Sequence, residues 1–235
     1  MTDFRFSSPF NFPPVVKNLV IINGLVFLAQ VIVGQMEPRW MENMFALHDL
    51  HSVYFKPHQL ITHMFMHGSL GHLFFNMLAL WMFGVALEHR FGAKRFIQFY
   101  LISGLGAAVL HMAILYFEME PVMATYRQLP EDMQLELIND PYFKVNIATL
   151  GASGAVFGCL AAFGYLYPNS IIMMNFFMPI KAKWFVLIYA AGELMLGVRN
   201  SAGDTVAHFA HLGGAIAGFL LVWFWNKKKR RTFYR

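Results

Sequence analysis

Residues 147–167 read IATLGASGAVFGCLAAFGYLY, an uninterrupted stretch without a formal charge. As a helix rising about 1.5 Å per residue it would reach about 30 Å, the thickness of a bilayer's hydrocarbon core. Inside it stands Gly151-Ala152-Ser153-Gly154, a hydroxyl set among small residues. A polar group at membrane depth is expensive, and by default it marks a functional position. The stretch therefore bears on fold and chemistry together.

Working outward, five more apolar stretches appear: Val15 to Val33, Leu70 to Leu87, Phe96 to Phe117, Lys183 to Val198 and Val206 to Trp225. The first is diluted by Lys17, Asn18, Asn23 and Gln30, and the fifth span in chain order carries Lys183 and Glu193. With 57% hydrophobic and 13% charged residues, the chain of 235 residues fits no ordinary soluble domain. The sequence predicts an all-α polytopic membrane protein: a six-helix bundle over residues 15–225, an N-terminal segment 1–14 and a basic tail 226–235. Between spans, Gly34 to Ser69 is rich in aromatic residues and methionine and suits an interfacial hairpin, whereas Glu118 to Asn146 reads as a solvated loop with one short amphipathic helix. Ile171 to Met178 is interfacial or lengthens the fifth helix.

Charge sets the orientation. Of 18 Lys and Arg, thirteen fall on the two ends and alternate loops (Arg5, Lys17, Arg90, Lys94, Arg95, Lys181, Lys183 and the tail from Lys227), and five on the other side. The positive-inside rule then places both termini in the cytoplasm of an integral membrane protein, with the cell (inner) membrane as the expected location. A pI near 9.4 is explained by topology and anionic lipid, since the tail lacks the aromatic interleaving of a nucleic-acid site. No nucleic-acid partner is expected. Met1 to Pro14 has no basic region feeding a short apolar core and is read as retained. The lone Cys159 excludes an internal disulfide and a zinc knuckle.

In this topology spans two, four and six all run inward from the external face. Asn76 then lies about 9 Å below the start of span two, Ser153 about 9 Å below that of span four and His211 about 8 Å below that of span six, with His72 nearer the surface. Four chemically useful groups fall in one external layer. Gly154 with Gly158, and Gly214 with Gly218, are small-xxx-small pairs that let helices approach closely. His211 shares a face with the second pair and Ser153 adjoins the first, so packing of span four on span six brings hydroxyl and imidazole together.

Such a pair supports nucleophilic catalysis, because serine attacks a carbonyl only when a base takes its proton, and neutral imidazole suits that task. His211 is the candidate base. A dyad is expected, since spans two, four and six carry no acid behind His211, and Phe157, one turn below Ser153, is placed to stack on the ring. His72 and Asn76, four apart on one face, and the Ser153 N–H are candidate oxyanion donors. His208, Glu193 and His111 are read as structural. No cofactor and no metal are expected: His63 and His67 have i, i+4 spacing, but there is no His-Glu-x-x-His sequence and no nearby carboxylate set.

These residues resemble the rhomboid intramembrane serine proteases. Gly151-Ala152-Ser153-Gly154 matches the family's Gly-x-Ser-Gly, Ala210-His211-Leu212-Gly213-Gly214 with Gly218 resembles its Ala-His-x-x-Gly-x-x-x-Gly, and His67, His72 and Asn76 leading to Trp81, Gly84 and Glu88 are similar to its oxyanion-binding segment. The resemblance assigns the nucleophile to Ser153, the base to His211 over His208 and oxyanion binding to His72 and Asn76. It implies the minimal six-helix form and cleavage of membrane-protein substrates in or near their transmembrane helices. Where many members carry Trp-Arg before the threonine matching Thr62, this chain has His58-Gln59, and Phe157 stands where tyrosine is frequent. Hydrolysis also needs water, which favours a movable cap around Val198 to Asp204 with Gly197 and Gly203 as hinges. The other readings are a metalloenzyme and a catalytically silent rhomboid-like protein that binds membrane clients. Lipids and transmembrane substrates are the expected partners, and no feature of the sequence sets an oligomeric state.

Overall fold

The computed structural model of the chain describes residues 12–174, 178–199 and 207–232. Ten helices are found among them: α1 (Pro14–Met36), α2 (Trp40–Phe45), α3 (Gln59–Thr62), α4 (Leu70–Ala79), α5 (Val85–Phe91), α6 (Ala93–Tyr126), α7 (Glu131–Asn139), α8 (Ser153–Leu166), α9 (Ala182–Arg199) and α10 (His208–Thr232). A π-helical segment at Leu80–Gly84 joins α4 to α5, so that Leu70–Phe91 is one rod. The fold is mostly helical, as the sequence predicts.

The one sheet among the described residues is a hairpin of β1 (Ile171–Met174) and β2 (Met178–Lys181), antiparallel with Ile171 opposite Lys181. The described part of the run, Ile171–Met174 and Met178, is strand and does not lengthen the fifth helix. Pro179 stops helix propagation, and the β-branched Ile171, Ile172 and Ile180 favour strands.

Among the described residues four helices are long and apolar enough to cross a membrane: α1, the α4–α5 rod, α6, and α10 through Lys227. Their outward faces carry exposed Leu25, Phe75, Val109 and Ile216, the surface that lipid requires. α9 covers the expected fifth span but carries Lys183, Glu193 and Arg199. α8 has only 14 residues, about 21 Å of helix. Span four therefore does not begin at Ile147, and Ser153 does not lie one and a half turns down a helix: it is the first helical residue. Residues 147–152 are not helical: Thr149 is paired to Leu47 (N–O distances of 2.7 and 2.8 Å), the Gly151 N–H donates to the His63 carbonyl at 2.9 Å, and Ala152 turns the chain into α8. Irregular backbone at this depth survives because other backbone satisfies it.

At the centre α10 lies against both α6 and α8. A seam of small residues sets the spacing. A Cβ on Gly214 would collide with the carbonyl of Gly154, and one on Gly218 would fall 2.8 Å from the Gly158 Cα. Ala107 and Ser103 of α6 fill the space beside Gly154 and Gly158. The main core runs beneath this seam through Leu80, Phe83, Phe96, Phe99, Cys159 and Phe163.

Two anchors hold the periphery. α1 starts with Pro14 at its first turn, and the buried Glu88 carboxylate of α5 accepts the Val15 and Val16 N–H groups at 2.9 and 2.8 Å. A carboxylate at a helix N-terminus meets both the orphan donors and the dipole. Glu88→Ala should cost about 1–3 kcal/mol, read as a lower thermal unfolding midpoint in detergent. The second anchor is Gln59, fully buried: it accepts from the His48 and Lys56 N–H groups at 3.3 and 3.1 Å and donates to the Asn43 and Tyr54 carbonyls at 3.0 and 2.8 Å. The His58-Gln59 pair, read from sequence as a departure, thus ties together the loop between α2 and α3, with His58 Nε2 donating to the Met44 carbonyl at 2.7 Å.

α6 continues to Tyr126, beyond the expected end at Phe117. Its last turns, with α7 and Phe143 and Val145, form a small second core over residues expected as solvated loop. The proposed cap lies outside the described residues from 200 onward, as does Gly203.

Candidate active site

The first turn of α8 and the first turn of α10 face each other across the glycine seam. His211 Nε2 lies 2.8 Å from Ser153 Oγ. The Phe157 ring is parallel to that of His211 to within 3°, with centroids 4.2 Å apart, and Tyr189 of α9 packs on the far side of Phe157. Stacking fixes the plane of the imidazole, so that rotation about its last torsion, the usual freedom of a histidine, is suppressed. Both side chains lie at the ends of helices, where only the first-turn N–H groups are free of intrahelical bonds.

The non-helical segment before α8 supplies a third wall. Gly151 has φ of +137°, and a Cβ built there would fall 2.8 Å from His72 Cε1 and 2.9 Å from His72 Nε2, with Ser153 Oγ at 3.6 Å. His72 therefore points at the site from α4. Its backbone N–H is capped by Ser69 Oγ at 3.1 Å, and its ring meets that of the buried His67 edge-on. Asn76, one turn further, is buried and lines the same cavity, with one of its amide hydrogens donated to the His72 carbonyl at 3.0 Å. The second amide hydrogen is left for another acceptor. Gly151→Ala should combine strain of about 1–3 kcal/mol with displacement of the His72 ring; the expected result is a sharp drop in any Ser153-dependent activity while the helical circular dichroism is kept.

The cavity occupies about 670 Å³. Its lining includes the apolar Phe83, Leu160 and Phe185 and the polar His63, His111 and Glu42. His111 Nε2 is 2.7 Å from Thr149 Oγ1, which holds the non-helical segment from α6. A half-buried hydroxyl hydrogen-bonded to an imidazole, at a helix N-terminus and beside a donor-rich wall, is an arrangement suited to acyl transfer.

Sequence reasoning placed no acid behind His211. The structure places one: Glu193 of α9, whose Oε2 is 2.9 Å from His211 Nδ1 and 2.6 Å from His208 Nδ1. From sequence Glu193 is set aside because it lies on another span, and the packing of α9 on α10 is what brings it to His211. The signal available was an acid in an otherwise apolar helix. Glu193, His208 and His211 could also hold a metal ion, their ligand atoms lying within 4.8 Å of one another. Two imidazole–carboxylate contacts already account for that proximity.

Comparison with known proteins bears on this geometry. The family model described as the Rhomboid domain matches residues 54–228. RHOMBOID-like protein 12, mitochondrial, of Arabidopsis thaliana is 30% identical over 220 residues, covering 93% of this chain and 60% of that protein. Rhomboid protease AarA of Providencia stuartii is 29% identical over 160 residues, covering 67% of this chain and 52% of its own length, and Rhomboid protease GluP of Bacillus subtilis is 29% identical over 161 residues, 68% of this chain and 24% of its own. The chain thus spans less than two thirds of the length of each of these curated relatives. Because the matched stretch runs from the loop before α3 almost to the end of α10 and takes in Ser153, His211, His72 and Asn76, this membrane-embedded, mostly helical chain belongs to the rhomboid family.

Proposed function

We propose that this chain is an intramembrane serine endopeptidase, its protease domain spanning residues 15–225, that cleaves membrane-protein substrates in or near their transmembrane helices. The observation that carries the reading is the 2.8 Å contact between Ser153 Oγ and His211 Nε2, two residues that line one cavity of about 670 Å³. Ser153 attacks the scissile carbonyl as its proton passes to His211 Nε2, and His211 returns that proton to the leaving amine. The oxyanion is met by the Ser153 N–H at the start of α8, by His72 and by the spare amide hydrogen of Asn76. Water then repeats the attack on the acyl-enzyme.

The non-helical approach of residues 147–152 supports this chemistry, because it leaves Ser153 at the mouth of its helix and not within it. A substrate helix must unwind first, since its carbonyls are already hydrogen-bonded. The charge distribution supports both termini in the cytoplasm and a site toward the external face. A fluorophosphonate probe tests the reading: labelling of purified protein at Ser153, lost in His211→Ala and unaffected by a metal chelator, is expected. Labelling that survives Ser153→Ala refutes it. Absence of labelling together with retained capture of a transmembrane client would favour the non-catalytic rhomboid-like reading instead.

A further inference from the structure

An acid in the middle of an apolar helix needs an explanation. Glu193 is one residue past Gly192 in α9, flanked by Leu194, Met195 and Leu196, all exposed on the outside of the bundle. Its own side chain turns the other way and is nearly buried. Holding a carboxylate there is costly unless it is paired. It is paired twice, by imidazoles three residues apart on one face of α10, both reaching the same oxygen.

The two contacts differ. His208 Nδ1 makes an aligned hydrogen bond at 2.6 Å. His211 Nδ1 is close, at 2.9 Å, but the oxygen lies off its N–H direction and no aligned bond is formed. His208 therefore fixes the carboxylate, and the fixed carboxylate faces Nδ1 of the ring whose Nε2 faces Ser153. That has a chemical consequence. A negative oxygen beside Nδ1 favours the tautomer with its proton there, leaving the Nε2 lone pair for the serine hydroxyl. When Nε2 gains the serine proton, the ring becomes a cation directly beside an anion. Nδ1 keeps its own proton throughout, and the carboxylate takes none.

We infer that Glu193 is a positioning residue for His211, anchored by His208, so that three helices, α8, α9 and α10, supply a serine, a carboxylate and a base in one line. This rests on the protease reading above. Among the described residues, the groups facing His211 from the packed elements are Ser153 of α8, Glu193 of α9, His208 of its own helix, His72 of α4 and His111 of α6. Of these described groups, Glu193 is the acid.

The test is steady-state cleavage of a transmembrane substrate by purified full-length protein in liposomes, with fluorophosphonate inactivation rates on the same samples. Loss of the acid behind a catalytic histidine removes about 10,000-fold in the best-studied serine proteases; for the oblique contact here, a fall of kcat of about 100-fold is expected for Glu193→Gln, in the range typical of lost outer-shell partners. KM should stay within about twofold, since the change is felt in the transition state and not in binding. Glu193→Asp, which keeps the charge on a shorter arm, should recover about a tenfold part of that loss. His208→Gln, keeping a donor toward the carboxylate, should lose only a few-fold.

A kcat for Glu193→Gln within about twofold of wild type overturns the inference. So does a Glu193→Asp variant no better than Glu193→Gln when both unfold at the wild-type temperature, because a role in packing alone would not distinguish charge. Ser153→Ala is assayed in parallel. If it keeps its activity, the protease reading fails; if it is inactive while Glu193→Gln is normal, only the positioning role does.

Discussion

Ser153→Ala is expected to abolish proteolysis, lowering kcat by about 10,000-fold or more, with His211→Ala giving a loss of the same order. The two should not add, because the imidazole has nothing to activate once the hydroxyl is gone, and the hydroxyl has no proton acceptor without the imidazole. The double variant is therefore expected to resemble either single one. Neither change should unfold the protein. Ser153 sits at the first residue of α8 and loses only one hydrogen bond, and the α8–α10 seam is made by the backbone of Gly154, Gly158, Gly214 and Gly218, which neither substitution alters. The measurement is cleavage of a transmembrane substrate in liposomes, with thermal unfolding on the same preparations. Substrate binding should persist in Ser153→Ala, so that the variant becomes a trap for the client. Additive losses, or a fall in unfolding temperature that matches the loss of activity, would show that the 2.8 Å contact is structural.

How much of this was legible in the sequence depended on which signal carried each part. Hydropathy located the long rods, because a lipid-facing helix must be apolar over its whole length, as in Leu70–Phe91 and Ala93–Tyr126. It failed at residues 147–152, since non-helical backbone inside the protein is as apolar as helix; what distinguishes the two is the pairing of Thr149 with Leu47, about a hundred residues away in the chain. The local spacing of Ser153, Gly154 and Gly158 and of His211, Gly214 and Gly218 pointed to contacting faces because helical periodicity is local. Glu193 escaped for the opposite reason. Its partners are set by how α9 leans on α10, and no spacing within α9 contains that. Gln59 escaped likewise: a glutamine at the start of a short helix looks solvated until its four hydrogen bonds to backbone between Asn43 and Lys56 are seen.

Gly214→Ala is the substitution that should do most damage for its size. A single methyl would strike the carbonyl of Gly154 and lie 2.6 Å from its carbon and 3.1 Å from its Cα, all backbone atoms that no rotamer can clear. α10 must then move away from α8. Overpacking of this kind costs about 1–3 kcal/mol, and at this seam the displacement is also transmitted to the site, because His211 lies one turn above Gly214 on the same rigid helix and Ser153 adjoins Gly154. A misplacement of about 1 Å can cost about 100-fold in rate. Gly214→Ala is therefore expected to lower the unfolding temperature and, in whatever fraction remains folded, to lower kcat by at least that factor. Gly24→Ala is the contrast, because a Cβ there meets nothing within 4 Å and lies in the middle of α1. Replacing a helical glycine in open space removes its entropic penalty, worth up to about 1 kcal/mol, and that variant should keep full activity and the same or greater stability. Thermal unfolding and substrate cleavage on the pair decide the matter. If Gly214→Ala behaves like Gly24→Ala, helices α8 and α10 are not in backbone contact, and the proximity of Ser153 and His211 loses its structural cause.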